Sequence, residues 1–132
     1  MLTGGCHCGA VRYEADGEPF ERALCHCELC RKTTGAPAVA WFTVREADLA
    51  MSGEPVRYAS SDHAERTFCG RCGTQITFKD AAYGDRIDIT TASLDDPDAA
   101  PPVEQIWVRS RMGWMADAHT LPDDLARRPI EV

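Results

Sequence analysis

The sequence predicts a mainly β fold, a small antiparallel sheet domain with few short helices. Three observations carry this expectation. Short runs rich in β-branched and aromatic residues recur between Gly, Pro and Asp turns, the spacing of a sandwich or a twisted antiparallel sheet. Seven cysteines gather in tight clusters. Helical periodicity is nearly absent.

Taken in order, Val11 and Tyr13 alternate with polar neighbours after the first cysteine pair, and Phe20 to Leu24 leads into the second cluster. Ala38 to Val44 is a β-branched and aromatic run that reads as a strand. Val56-Arg57-Tyr58, Arg66-Thr67-Phe68 and Thr74 to Phe78 follow as short strands. Ile87 with Ile89, and Ile106 with Val108, alternate as strand residues do. Helix is expected in three brief places. Glu28 to Thr33 makes one turn after the second cluster, and Thr43-Val44-Arg45-Glu46 matches a capping box that Pro55 cuts short. Pro122-Asp123-Asp124 opens and Arg127-Arg128 closes a short helix whose charges suit its dipole. Asp95, Asp96 and Asp98 with Pro101 and Pro102 read as a solvated surface loop.

No repeat, low-complexity tract or linker divides the chain, so residues 1–132 are expected to form one domain. Hydrophobic residues make up 44% and charged residues 27%, a folding composition. A net charge of −7 argues against nucleic acid and anionic membrane surfaces as partners. The longest apolar run, Ala38 to Phe42, falls far short of the roughly 20 residues of a membrane-spanning helix. Met1-Leu2-Thr3-Gly4-Gly5 has neither the basic nor the apolar region of a secretory signal, and the expected location is cytoplasmic.

The cysteines carry the chemistry. They stand as Cys6-His7-Cys8, Cys25-His26-Cys27-Glu28-Leu29-Cys30 and Cys69-Gly70-Arg71-Cys72-Gly73. Cys-x-Cys on a strand points both sulfurs to one face, and a Cys-x-x-Cys turn converges two more. Convergent thiols in a reducing compartment imply zinc, whose structural sites are often all-sulfur. Two closed four-sulfur sites need eight cysteines, and seven are present. One closed site and one with three ligands and an open position is the division that zinc enzymes use. A fourth ligand could come from His26, His7, His63, His119 or a carboxylate, and spacing alone does not say which clusters pair.

The order Gly5-Cys6-His7-Cys8-Gly9-Ala10-Val11, Cys25-His26-Cys27-Glu28-Leu29-Cys30-Arg31-Lys32, then Phe68-Cys69-Gly70-Arg71-Cys72-Gly73-Thr74 resembles the glutathione-dependent formaldehyde-activating enzyme family. That family includes the centromere protein V type. Ile106-Trp107-Val108-Arg109-Ser110-Arg111 with Trp114 looks like its closing strand. The resemblance implies a β-tent fold, shared with a nucleotide-exchange chaperone of Rab proteins. It implies a closed structural zinc site at Cys6, Cys8, Cys69 and Cys72. Cys25, Cys27 and Cys30 would form a second, open and catalytic site, with an exchangeable zinc. The implied reaction is the joining of glutathione to formaldehyde, or its reversal as a carbon–sulfur lyase. Gln105 departs from the pattern, since many relatives carry His there, and Gln does not titrate near neutrality.

An acidic protein needs local positive charge to hold an anionic thiol. Arg31, one residue past the second cluster, is the expected glutathione contact, ahead of Lys32, Arg66, Arg71, Arg109 and Arg111. Arginines beside the clusters also serve to balance thiolate charge. His26 and His7 can act as acids or as structural groups. Trp41, Phe42, Trp107 and Trp114 could line a pocket; Trp41 and Phe42 read first as core, and Trp114 after Gly113 as the aromatic facing a pocket or partner. Two other readings fit the same cysteines: a zinc-stabilised binding module without catalysis, and a redox responder in which the triplet exchanges zinc or oxidises.

Overall fold

The computed structural model describes residues 1–124, and the expected helix closing at Arg127-Arg128 lies outside them. Strands dominate, as expected. Ten of them build two sheets: a small one of β1 (Leu2–Gly5), β2 (Arg12–Ala15) and β5 (Leu49–Ser52), and a large one. The large sheet contains β3 (Glu21–Cys25), β4 (Val39–Val44), β6 (Val56–Ala59), β7 (Ala64–Phe68), β8 (Gln75–Asp80), β9 (Ile87–Thr90) and β10 (Glu104–Ile106). Its spatial order is β10-β3-β4-β9-β8-β7-β6. The helix α1 (Glu28–Thr34) follows β3, with short 3-10 turns elsewhere.

Strand β4 shows why the sequence splits the interior in two. Phe42 and Val44 point one way and join Tyr13, Ala15, Ile76, Ile87 and Ile89 in the main core. Val39 and Trp41 point the other way, with Cys25 and Cys30. A strand buried on both faces reads as one continuous apolar run, which is the form Val39–Val44 takes. Strand β1 tolerates no side chain at Gly4, where a Cβ would lie 2.4 Å from the Tyr13 hydroxyl and 2.5 Å from the Ser93 carbonyl oxygen.

Three expectations are corrected. Every strand pair is antiparallel except β10 on β3, which is parallel, with Gln105 opposite Leu24 and Ile106 opposite Cys25. Val108 is not in a strand; it opens a 3-10 turn, Val108–Ser110, because Trp107 adopts the left-handed conformation and turns the chain. The Thr43 capping box does not form either. Thr43 stays in β4 and its hydroxyl donates to Asp88, while the 3-10 turn Glu46–Asp48 has no side-chain cap. Among the described residues, no helix is long and apolar enough to cross a membrane.

Candidate metal centres and cavity

Cys6 and Cys8 leave β1, and Cys69 and Cys72 sit in the knuckle between β7 and β8. Their four sulfurs lie within 4.8 Å of one another. Cys6 and Cys8 Sγ are 3.6 Å apart, and Cys8 and Cys69 Sγ 3.8 Å across 61 residues of chain. A tetrahedron with metal–sulfur bonds of about 2.3 Å has edges of about 3.8 Å, so the donor set fits an ion of that size. Backbone amides of Val11 and Arg71 donate to Cys6 Sγ and Cys69 Sγ at 3.2 and 3.4 Å. The Thr74 hydroxyl and its backbone bring the Cys72 thiol down to about 5.

The second cluster forms where β3 ends. Cys25 closes the strand, and Cys27 caps α1 by accepting the Cys30 amide at 3.2 Å. Gly35, left-handed at φ 71°, ends that helix and returns the chain to β4. The three sulfurs again lie within 4.8 Å, and no histidine or carboxylate joins them among the described residues. In the thiol form their charge is uneven. Cys25, then Cys27 and Arg66, hold the Cys30 thiol down to about 5 against the effect of its burial. The charge on Cys30, with burial, pushes the Cys25 thiol far up.

All three cysteines line a cavity of about 620 Å³. Its floor is one row across the large sheet, since Arg66, Phe78, Asp88, Thr43 and Glu21 are successive register partners on β7, β8, β9, β4 and β3. Ile106, Trp107, Arg109 and Ser110, on and after β10 beside β3, also line the cavity. Trp107 is the one non-glycine with positive φ among the described residues, at 55°, and Arg109 lies 5.1 Å from its ring centroid. A bulky residue held left-handed beside a cavity is the kind of local strain found at functional sites. Arg86 pairs with Glu21 on the rim. Burial raises the Asp88 carboxyl above the ordinary aspartate range, and Thr43 donates to it.

The other expected residues fall as follows. His26 is wholly buried and its Nε2 lies 2.8 Å from Gln105 Oε1. An amide oxygen only accepts, so Nε2 carries the proton, and Nδ1 is left buried without a partner. His26 therefore does not line the cavity, and Gln105 fixes its ring. His7 is exposed, and His63 pairs with Asp80 at 2.8 Å. Arg31 stands half-buried on α1, outside the cavity lining. Trp41 lines the cavity and is not only core, whereas Trp114 is 57% exposed and away from it. Sequence reasoning missed Asp88 and Phe78. The signal was available for Asp88, which alternates with the core residues Ile87 and Ile89. Phe78 shares parity with the core residue Ile76, and the register shift between β7 and β8, invisible in the sequence, turns it to the cavity.

These features can be set beside known proteins. Residues 1–110 match the family described as glutathione-dependent formaldehyde-activating enzyme. The chain belongs to that family. A Halomonas elongata protein, provisionally named a glutathione-dependent formaldehyde-activating enzyme, is 31% identical over 111 residues, 77% of this chain and 71% of that protein. An uncharacterized lyase of Schizosaccharomyces pombe is 36% identical over 75 residues, 57% of this chain. The match spans 55% of that relative's own length, about half. A crystal structure of a Rhodobacter sphaeroides protein aligns with a TM-score of 0.62 and 26% identity, covering 78% of this chain and 98% of that one. In this glutathione-dependent formaldehyde-activating enzyme relative, two cysteine clusters could hold metal ions, and one of them borders the large cavity.

Proposed function

We propose that the protein is a zinc-dependent carbon–sulfur lyase or synthase acting on a thiol adduct such as S-hydroxymethylglutathione. The observation that carries this reading is the placement of three convergent sulfurs on the wall of a cavity large enough for a small peptide thiol. Zinc at Cys6, Cys8, Cys69 and Cys72 would be structural and close the tent-like fold that the family resemblance implies. Zinc held by Cys25, Cys27 and Cys30 would supply an open coordination position, at which a thiol loses its proton at neutral pH.

Joining a thiol to formaldehyde forms one carbon–sulfur bond, moves the carbonyl π pair onto oxygen and delivers the thiol proton to that oxygen. The reverse reaction breaks the same bond. The chain's own residues bind, orient and exclude water. Trp41 and Phe78 make the inner wall apolar, with their rings 6.3 Å apart. Arg109, stacked on Trp107 and without an ion-pair partner among the described residues, takes a carboxylate of the incoming thiol. Arg31 adds positive charge on α1. Asp88, whose carboxyl burial raises above the ordinary aspartate range, is the cavity carboxyl offered to hold the proton.

The test is exchange of carbon-13 formaldehyde with S-hydroxymethylglutathione, followed by NMR, with metal content measured on the same sample. The expected result is exchange faster than the unaided reaction of glutathione, lost in Cys27→Ser. Exchange at the uncatalysed rate in a protein holding two zincs per chain would sink the lyase reading.

A further inference from the structure

Arg66 stands out in the cavity because nothing conventional neutralises it. The residue is 2% exposed, and its Nε and Nη1 have no hydrogen-bond partner. A buried guanidinium cannot shed its proton, so it needs an anion beside it. The cavity carboxylates are engaged elsewhere. Glu21 pairs with Arg86, Asp80 with His63, and Asp88 accepts from Thr43. Among the described residues, Arg66 forms no ion pair with any carboxylate. Its one polar contact is Nη2 to Cys30 Sγ, at 3.8 Å. Phe78 and Trp41 hold the guanidinium in place, with ring centroids 4.7 and 6.0 Å from its carbon.

We infer that Arg66 is the counter-ion of the Cys25, Cys27 and Cys30 site, a positioning residue that sets how firmly this site holds its metal. The inference rests on the zinc reading proposed above and adds a residue to it. Three thiolates around a divalent ion carry one net negative charge, and one guanidinium cancels it. The charge balance explains why a strand residue five positions after Ser61 and three before Cys69 reaches away from the nearer cluster and toward a thiol 36 residues earlier in the chain. It also gives the open position a preference. A neutral fourth ligand leaves the assembly uncharged and a thiolate makes it singly negative, whereas without Arg66 the thiolate adduct would carry two negative charges in a low-dielectric pocket.

The experiment is zinc competition against a graded chelator on the full chain, with the four-sulfur site as an internal reference. Wild type is expected to release its zinc in two steps. In Arg66→Met, an apolar replacement of similar length, the weaker step should move by roughly 10- to 100-fold and the tighter step stay put, the usual size of an outer contact's effect on a metal site. Arg66→Lys should restore most of the loss, because it returns the charge without the planar fork. Arg66→Gln carries the same comparison should the Met variant fold poorly. Two unshifted steps in a folded neutral variant would overturn the counter-ion role while leaving the second zinc intact. A single zinc in wild type would overturn the zinc reading and this inference with it.

Discussion

At the first cluster four sulfurs close on one another, and at the second three sulfurs stop on the wall of a cavity. The surroundings differ as much as the count. Cys8 is exposed and Cys72 half-exposed, and the polar contacts to the four sulfurs come from backbone amides and Thr74. Cys25 and Cys30 are buried beside an arginine, two aromatic rings and a mobile-ligand-sized space. Completing a ligand set allows a site to sit in water, because no position is left to take a substrate. Withholding one ligand would make shelter and charge balance matter, and the large sheet places Arg66, Phe78 and Trp41 beside that cluster. Ligand count alone would separate a fastener from a reactive site only where the walls agree with it, and here the cavity lies at the three-sulfur cluster.

The comparison can be broken most directly at Cys69. On the zinc reading, Cys69→Ser removes a ligand that joins the two ends of a 61-residue loop, where a structural zinc would supply folding free energy on the order of 10 kcal/mol. The expected result is loss of a cooperative melt; normal melting with full metal content would refute the assignment. Cys27→Ser should be milder. It is expected to keep a cooperative melt, lower the metal content by one zinc per chain and abolish exchange. If Cys27→Ser unfolds as thoroughly as Cys69→Ser, the two clusters are equally structural.

Smaller changes sharpen the contrast. Gln105→Leu leaves the buried Nε2 proton of His26 without an acceptor, at a cost of about 1–3 kcal/mol, and should lower the melting temperature with both zincs retained. Trp107→Gly relieves a left-handed backbone and should stabilise the fold by about 1 kcal/mol while weakening thiol binding, a sign reversal that titration and melting read together. The smallest effect lies beside the first cluster. Arg12, then Thr3, hold the Asp95 carboxyl down to about 2. A carboxyl lowered on folding stabilises above its unfolded value of about 4 and loses that contribution as pH falls toward 2. The melting difference between wild type and Arg12→Ala should therefore be level from about pH 8 to 5 and shrink below about pH 4.

Legibility in the sequence followed physical type. The seven cysteines were readable as two convergent groups that could hold metal because chemistry restricts what such clusters do, and the large-sheet strands because β-branched residues alternate there. The small sheet was hidden. Leu2–Gly5 ends in two glycines and Leu49–Ser52 lacks β-branched residues, so neither has strand propensity. Tertiary pairing on β2 makes both into strands. The parallel placement of β10 was equally unreadable, since register across a sheet edge leaves no local trace. Arg66 was seen as a neighbour of Cys69, but residue parity in β7 turns its side chain to the far cluster. Val108 failed as a strand because Trp107 breaks the chain direction, and no propensity announces a left-handed tryptophan.

The parallel seat of β10 has a consequence in time. Chains are made from the amino end, so all four sulfurs of the first cluster exist once Cys72 has emerged, and that site can close at once. The second cluster has its three thiols earlier still, but its cover, Ile106 to Ser110, arrives only when the strand opposite Cys25 is laid down. The four-sulfur cluster is thus complete in the growing chain before the last residues that line the three-sulfur cavity have been made.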